Sequence, residues 1–215
     1  MRESRYSIVR ALLDGFVSLL APSRCAGCDS PGDGPAGFCG SCRVLMDPFA
    51  GPGAVFEYGG PVADAIQRFK YAGRSELGTV LGLLMADAAH PWAGRVDAVV
   101  PVPLHWRRRR ARGYDQAALL AGPVAKALGV VPLLRGLRRV RDTRSQVELP
   151  HRERYRNIAG AFAPRRLDGF RRVLLLDDVR TTGATLGAAS DALAEGGVTE
   201  VYTFVLAVRV LNEGT

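Results

Sequence analysis

The run Val173-Leu-Leu-Leu-Asp177-Asp178-Val179-Arg180-Thr181-Thr182-Gly183-Ala184-Thr185 decides how this chain is read. Four consecutive apolar residues, 173–176, describe a strand buried on both faces, and such strands belong to parallel sheets covered by helices. Two carboxylates follow at the strand's carboxyl end, and a hydroxyl- and glycine-rich loop then opens a helix over 185–195 that stops at Gly196-Gly197. In open α/β sheets that edge is where ligands bind. Unpaired N–H groups at the start of the helix suit a phosphate, with Thr181, Thr182 and Thr185 adding hydroxyl donors. The paired acids suit the vicinal hydroxyls of a ribose or a hydrated magnesium ion. Acids beside a phosphate cradle imply a sugar phosphate. The alternative, caps and turns of an ordinary α/β protein, explains two adjacent aspartates before Thr-Thr-Gly-Ala-Thr much less well.

The flanking sequence fits the same fold class. Helical patterns are expected over 63–71, 77–89 and 115–128, and short buried strands over 97–100 and 201–208. Strands alternating with helices predict an α/β domain built on an open, mainly parallel sheet flanked by helices. Proline and glycine at 48–53 mark a boundary, giving two parts: residues 1–50 and residues 51–215.

The first part carries all four cysteines of the chain, Cys25, Cys28, Cys39 and Cys42. Two C-x-x-C knuckles present four thiolates, the pattern of a tetrahedral zinc site, and a filled four-sulfur shell makes that zinc structural. Disulfides or redox pairs are the alternative, disfavoured by the lack of an export signal. Residues 8–20 are apolar at helical spacing but interrupted by Arg10 and Asp14. They predict an amphipathic helix on the protein, no integral membrane association and a cytoplasmic location.

The 215 residues have a net charge of +8, and Lys70 and Lys126 are the only lysines among 29 basic side chains. So arginine-rich a composition suits a solvated basic surface as well as a polyanion partner.

The run at 173–185 resembles the phosphoribosyl-diphosphate (PRPP) motif of type I phosphoribosyltransferases. With the four cysteines, Phe69-Lys70-Tyr71-Ala72-Gly73, Val100-Pro-Val-Pro-Leu-His105, Arg112-Gly-Tyr-Asp-Gln116, Thr143-Arg-Ser-Gln146, Arg154-Tyr-Arg-Asn157 and Gly160-Ala-Phe162, the chain resembles the ComF family over nearly its whole length. The resemblance implies a type I phosphoribosyltransferase-like domain behind a zinc module. It implies that Asp177 and Asp178 meet the ribose hydroxyls and carry the chemistry, that Thr181, Thr182, Gly183, Ala184 and Thr185 hold the 5′-phosphate with Val179 and Arg180 leading in, and that the loop after 97–100 approaches the diphosphate. Arg108 and Arg112 fall where the family carries arginines, and guanidinium forks match diphosphate oxygens. Lys70 and Gln146 are carried over as contributors to closing the site.

Two departures stand out: Asp115 where the family usually has asparagine, and Arg74 where an acid is common. An acid at a helix start is favourable, although any hydrogen bond donated by the amide is lost. The implied chemistry is transfer of phosphoribosyl to an unidentified nitrogen acceptor with magnesium. His90, His105 and His151 are expected in surface or capping roles. The alternative is a non-catalytic accessory protein of DNA uptake that binds PRPP and single-stranded DNA, with residues 107–112 and 135–144 as a basic track and Trp106 and Tyr114 as stacking residues. The family's link to competence also admits partners in that machinery or a homo-oligomer.

Overall fold

The computed structural model describes residues 24–31, 37–143 and 157–210. Five strands, β1 (Ala54–Glu57), β2 (Ala98–Pro101), β3 (Val131–Pro132), β6 (Arg172–Arg180) and β7 (Glu200–Val208), form one sheet in the order β1-β7-β6-β2-β3. All four pairings are parallel. The expected open parallel sheet is thus present, with β6 at its centre. Alternate residues of β6 enter two separate cores: Leu174 and Leu176 meet α2 (Gly60–Tyr71), α3 (Leu77–Ala88) and α5 (Gln116–Leu128). Val173 and Leu175 meet α6 (Ala184–Glu195) and the antiparallel hairpin of β4 (Leu137–Arg139) and β5 (Phe162–Pro164). The apolar run at 173–176 therefore reflects burial on both faces rather than a half-exposed strand.

Helices α3 and α5 pack closely because small residues let them. A Cβ on Gly78 would lie 2.8 Å from Leu119 Cβ, and one on Gly82 would lie 2.9 Å from Pro123 Cγ. The short helix α1 (Gly40–Val44) follows the second cysteine knuckle. Residues 47–49 then pair with β1 through Phe49 N–H to Val55 O and Glu57 N–H to Asp47 O.

Three expectations are corrected. Strand β6 continues through both aspartates to Arg180, since Asp177, Val179 and Arg180 remain in register with Val205, Ala207 and Val208 of β7. The turn that follows is confined to 181–183. Second, residues 106–112 form a helix, α4 (Trp106–Arg112), where a loop was expected. None of its residues is buried, so it has no apolar stripe to announce it, and only the left-handed Gly113 (φ 83°) marks its end. Third, His105 is neither on the surface nor a side-chain cap. It is buried, with Nδ1 3.4 Å from Asp142 Oδ1 and, among the described residues, no hydrogen-bond partner at that nitrogen. The expected helix over 8–20, Gln146, His151 and Arg154 lie outside the described residues.

Candidate functional site

A cavity of about 280 Å³ opens at the carboxyl ends of the strands. Its wall contains Lys70, Arg108, Arg112, Asp177, Asp178, Val179, Thr181 and Thr185, all singled out in the sequence. These residues come from α2, α4, β6, the turn after β6 and α6, so the fold gathers side chains more than a hundred positions apart. Arg180, Thr182, Gly183 and Ala184 do not line it. Arg180 turns toward Gly53, where a Cβ would lie 3.6 Å from its Nη1. Thr182 Oγ1 accepts from Ala184 N–H at 3.3 Å, and Gly183 takes the left-handed conformation (φ 80°) that a side chain would strain, so both shape the turn that starts α6.

The acids are unequal. Lys70, in the last turn of α2, places Nζ 2.7 Å from Asp178 Oδ1. Burial works against the Lys70 charge, but the neighbouring Asp178 carboxylate prevails and holds the ammonium above its ordinary pKa. Among the described residues Asp177 forms no ion pair of this kind. Burial, reinforced by the Asp178 charge and only partly opposed by Lys70, pushes it up to about 7. Its Oδ1 accepts the Asp178 N–H at 2.8 Å. One carboxylate is thus held in an ion pair, and the other is poised to ionise when a cation or hydroxyl donors arrive.

Asp115 caps α5 and ties it to the loop after β2. Its two oxygens accept from Ala118 N–H at 3.3 Å and Leu104 N–H at 3.1 Å. Burial pushes its carboxyl up and those two N–H groups pull it back. Each of the two N–H groups needs an acceptor and an amide offers one oxygen, so the acid satisfies both where the family's asparagine would satisfy one, at the cost of a buried carboxyl. Asp115→Ala is expected to lose about 1–2 kcal/mol of stability in urea unfolding, whereas Asp115→Asn, which keeps one acceptor and sheds the buried charge, should lose less.

Three further wall residues, Tyr58, Gln67 and Arg209, went unremarked in the sequence, and a fourth, Arg139, was read only as part of a basic track. Arg209 follows β7 as Asp177 ends the apolar run of β6, so the strand-end rule that found the aspartates could have found it. It lies over the Tyr58 ring at 5.1 Å, and the Tyr58 hydroxyl accepts from Gln67 Nε2 at 2.9 Å. Arg112 lies over Tyr71 in the same way, at 5.1 Å. Of the two proposed stacking residues, Trp106 is exposed at the start of α4. Tyr114 is not available: it stacks on Phe69 at 5.6 Å and donates its hydroxyl to the Phe69 carbonyl.

The four cysteines converge as expected, with all sulfurs within 4.8 Å of one another. Tetrahedral zinc at about 2.3 Å from each sulfur sets the sulfurs about 3.8 Å apart, and Cys28 and Cys39 Sγ are 3.8 Å apart. Burial alone would raise Cys25, but N–H groups of Cys39 and Cys28 draw it down to about 6, while burial and the other thiols push Cys42 up to about 12. Four cysteine sulfurs at this spacing could hold a cation, and the donor set fits zinc. Arg74, the second departure from the family pattern, joins this module to the helices through Asp29 at 2.8 Å and also pairs with Glu76.

No family model matches the chain. Competence protein F of Haemophilus influenzae is 32% identical over 191 residues, covering 85% of this chain and 83% of that protein. The DNA utilization protein YhgH of Escherichia coli is 31% identical over 175 residues (78% and 76%), and the competence protein ComFC of Streptococcus pneumoniae is 26% identical over 170 residues (78% and 74%). Among solved structures, the glutamine PRPP amidotransferase of Bacillus subtilis, complexed with ADP and GMP, aligns over 65% of this chain and 30% of its own at 22% identity, with a TM-score of 0.45. Among the described residues no helix is long and apolar enough to cross a membrane.

Proposed function

The chain belongs to the competence protein F family, and from that premise we propose that it binds PRPP and transfers phosphoribosyl to a nitrogen acceptor. The observation that carries this reading is the lining of the cavity: Asp177 and Asp178, Thr181 and Thr185, and Arg108 and Arg112 share one wall. That set of groups suits ribose hydroxyls, a 5′-phosphate and a diphosphate. In the reaction the ribose C1–O bond breaks and its electron pair leaves on diphosphate. The acceptor nitrogen's lone pair forms the new bond to C1, and its proton passes to solvent. Asp177 and Asp178 orient the ribose and offset positive charge developing at C1, while the arginines hold the leaving group. Magnesium, when bound with PRPP, neutralises diphosphate charge. Since Lys70 already engages Asp178, the acids fit a hydrated ion better than direct ligation.

The first part, residues 1–50, is read as a structural zinc module on a catalytic domain of residues 51–215. The protein is assigned to the cytoplasm, where thiolates remain reduced for the metal. A second reading, an accessory protein that handles single-stranded DNA, is favoured by α4, where Trp106, Arg107, Arg109 and Arg110 are exposed side by side. Titrating PRPP with magnesium and screening nitrogen acceptors for diphosphate release tests the first reading, which predicts micromolar binding and release with at least one acceptor. Lack of PRPP binding sinks it. Binding without release, together with salt-sensitive binding of single-stranded DNA, selects the second.

A further inference from the structure

Tyr58 and Arg209 are the first residues after β1 and β7, at the carboxyl edge of the sheet toward which β6 carries Asp177 and Asp178. In the strand order β1-β7-β6-β2-β3 they stand on the other side of β6 from the loop after β2, to which the diphosphate is assigned. Backbone contacts fix their places: Tyr58 N–H donates to Val208 O and Arg209 N–H to Arg180 O, each at 2.8 Å. Gln67 reaches the same corner from α2, on the helix face it shares with Lys70 and Tyr71. All of these side chains line the cavity. The corner is therefore less than one helical turn from the Lys70–Asp178 pair.

The Arg209 guanidinium lies over the Tyr58 ring at 5.1 Å. Stacking of this kind uses the face of the group and keeps the N–H fork at its edge for hydrogen bonds. The Tyr58 hydroxyl accepts from Gln67 Nε2 at 2.9 Å, so its own hydrogen is free to donate. Among the described residues Arg209 forms no ion pair with a carboxylate. Arg108 and Arg112 are the arginines assigned to the leaving group, which leaves Arg209 as a cation on the side away from it. Displacement at C1 brings the acceptor nitrogen's lone pair in opposite the C1–O bond whose electron pair departs with diphosphate. With the diphosphate on the β2 side, the acceptor enters from the β7–β1 side, past Tyr58, Gln67 and Arg209.

We propose that these three residues form the acceptor subsite and that the acceptor is a nitrogen compound carrying a carboxylate. Arg209 holds the carboxylate through two parallel N–H···O bonds, and the Tyr58 hydroxyl is a third donor. This rests on the phosphoribosyl-transfer reading above and supplies the substrate class that reading leaves open. An anion is tolerated near the two acids because Lys70 already pairs with one of them. Ammonia and simple amines offer no oxygen to the fork, and a neutral amide meets it with one oxygen and no charge.

The test is equilibrium binding of 2- and 3-aminobenzoate, and of the matching aminobenzamides, to the full chain loaded with ribose 5-phosphate and magnesium diphosphate. PRPP affinity is measured alongside. At least one aminobenzoate should bind the wild type about tenfold or more tightly than its amide, as expected of a charge-assisted contact. Arg209→Gln should shrink that gap to less than about threefold while PRPP affinity stays within about twofold of the wild type. Arg209→Lys should fall between. Arg95→Gln, which removes an equivalent stack on Tyr202 at 5.0 Å outside the cavity, should match the wild type. Gln67 is exposed, so Gln67→Glu places a carboxylate beside Arg209 at small risk to folding. It should lose the aminobenzoate and spare the amide, and it carries the comparison if Arg209→Gln does not fold. Equal binding of acid and amide by the wild type, binding of neither, or a preference that survives in Arg209→Gln overturns the proposal. A parallel loss of PRPP affinity in Arg209→Gln also overturns it, by making Arg209 a PRPP ligand. A wild type that binds no PRPP overturns the phosphoribosyl-transfer reading itself, whereas PRPP binding without carboxylate preference overturns the acceptor assignment alone.

Discussion

Asp177→Asn is expected to weaken PRPP binding about a hundredfold and at the same time to stabilise the folded protein above pH 7. The affinity loss follows from removing the charge that accepts ribose hydroxyls: hydrogen bonds to charged groups contribute about 1.5–3 kcal/mol each, and about 2.7 kcal/mol corresponds to a hundredfold. The stability gain follows from burial. An aspartate in the unfolded chain titrates near about 3.9, whereas in the fold Asp177 is pushed up to about 7. Between those values the native state keeps a proton that the unfolded state has released, so stability falls as pH rises through this window and the whole deficit is present above it. The gap corresponds to about 2–4 kcal/mol, allowing for water that reaches the partly exposed carboxyl.

Asparagine removes that deficit, so urea unfolding should show the variant more stable at pH 8 and equal to the wild type near pH 4. Asp178→Asn should move stability the other way, by about 3 kcal/mol, because it leaves Lys70 buried without its partner. Both variants lose PRPP affinity. In the wild type, PRPP affinity should rise between pH 6 and pH 8 as Asp177 ionises. If Asp177→Asn keeps PRPP affinity within threefold, or if the two substitutions shift stability in the same direction, the division of labour between the acids is wrong.

What was legible in the sequence was what burial and strand ends encode. Residues 173–176 are apolar because each faces one of two cores, and the aspartates announce a site because carboxylates cannot follow such a strand without a reason to be there. The cysteines were legible because ligand spacing is set by the metal's geometry, independent of the fold. Helix α4 was not, since a helix with no buried face carries no hydrophobic period. Strands β3, β4 and β5 are two or three residues long, too short for alternation to show. The inward turn of Arg139 had no local signal at all: its flanking residues Arg138 and Val140 are exposed, and only the tertiary approach of β4 to the cavity distinguishes it. Tyr114, a stacking residue only under the DNA alternative and otherwise expected to pack in the core or a loop, is committed to Phe69 through a contact 45 residues back along the chain.

Stripping the metal from the cysteine quartet is expected to lower the melting temperature by about ten degrees and to weaken PRPP binding several-fold, because helix α2 joins the two sites. The knuckle bears on α2 along its length. Gly27 presses on the helix start so closely that a Cβ there would lie 2.8 Å from Pro61 Cβ. Arg68 donates Nη1 to the carbonyls of Ala26, at 3.1 Å, and Gly27. Beyond the helix end, Arg74 pairs with Asp29. Cys25, Ala26, Phe38 and Cys42 share one core with Ile66 and Phe69 of α2. Lys70, two residues after Arg68 and one after Phe69, is the group that pairs with Asp178. With the knuckle released, α2 loses its anchor at the turn that aims this ammonium, and the Lys70–Asp178 distance of 2.7 Å is no longer enforced. Arg68→Met separates the two effects. It should retain the metal, by mass spectrometry, and most of the melting temperature, yet show the loss of PRPP affinity. A metal-free protein that keeps both its melting temperature and its PRPP affinity within twofold would show that the module and the cavity are independent, and that the contacts between Arg68 and the knuckle transmit nothing to Lys70.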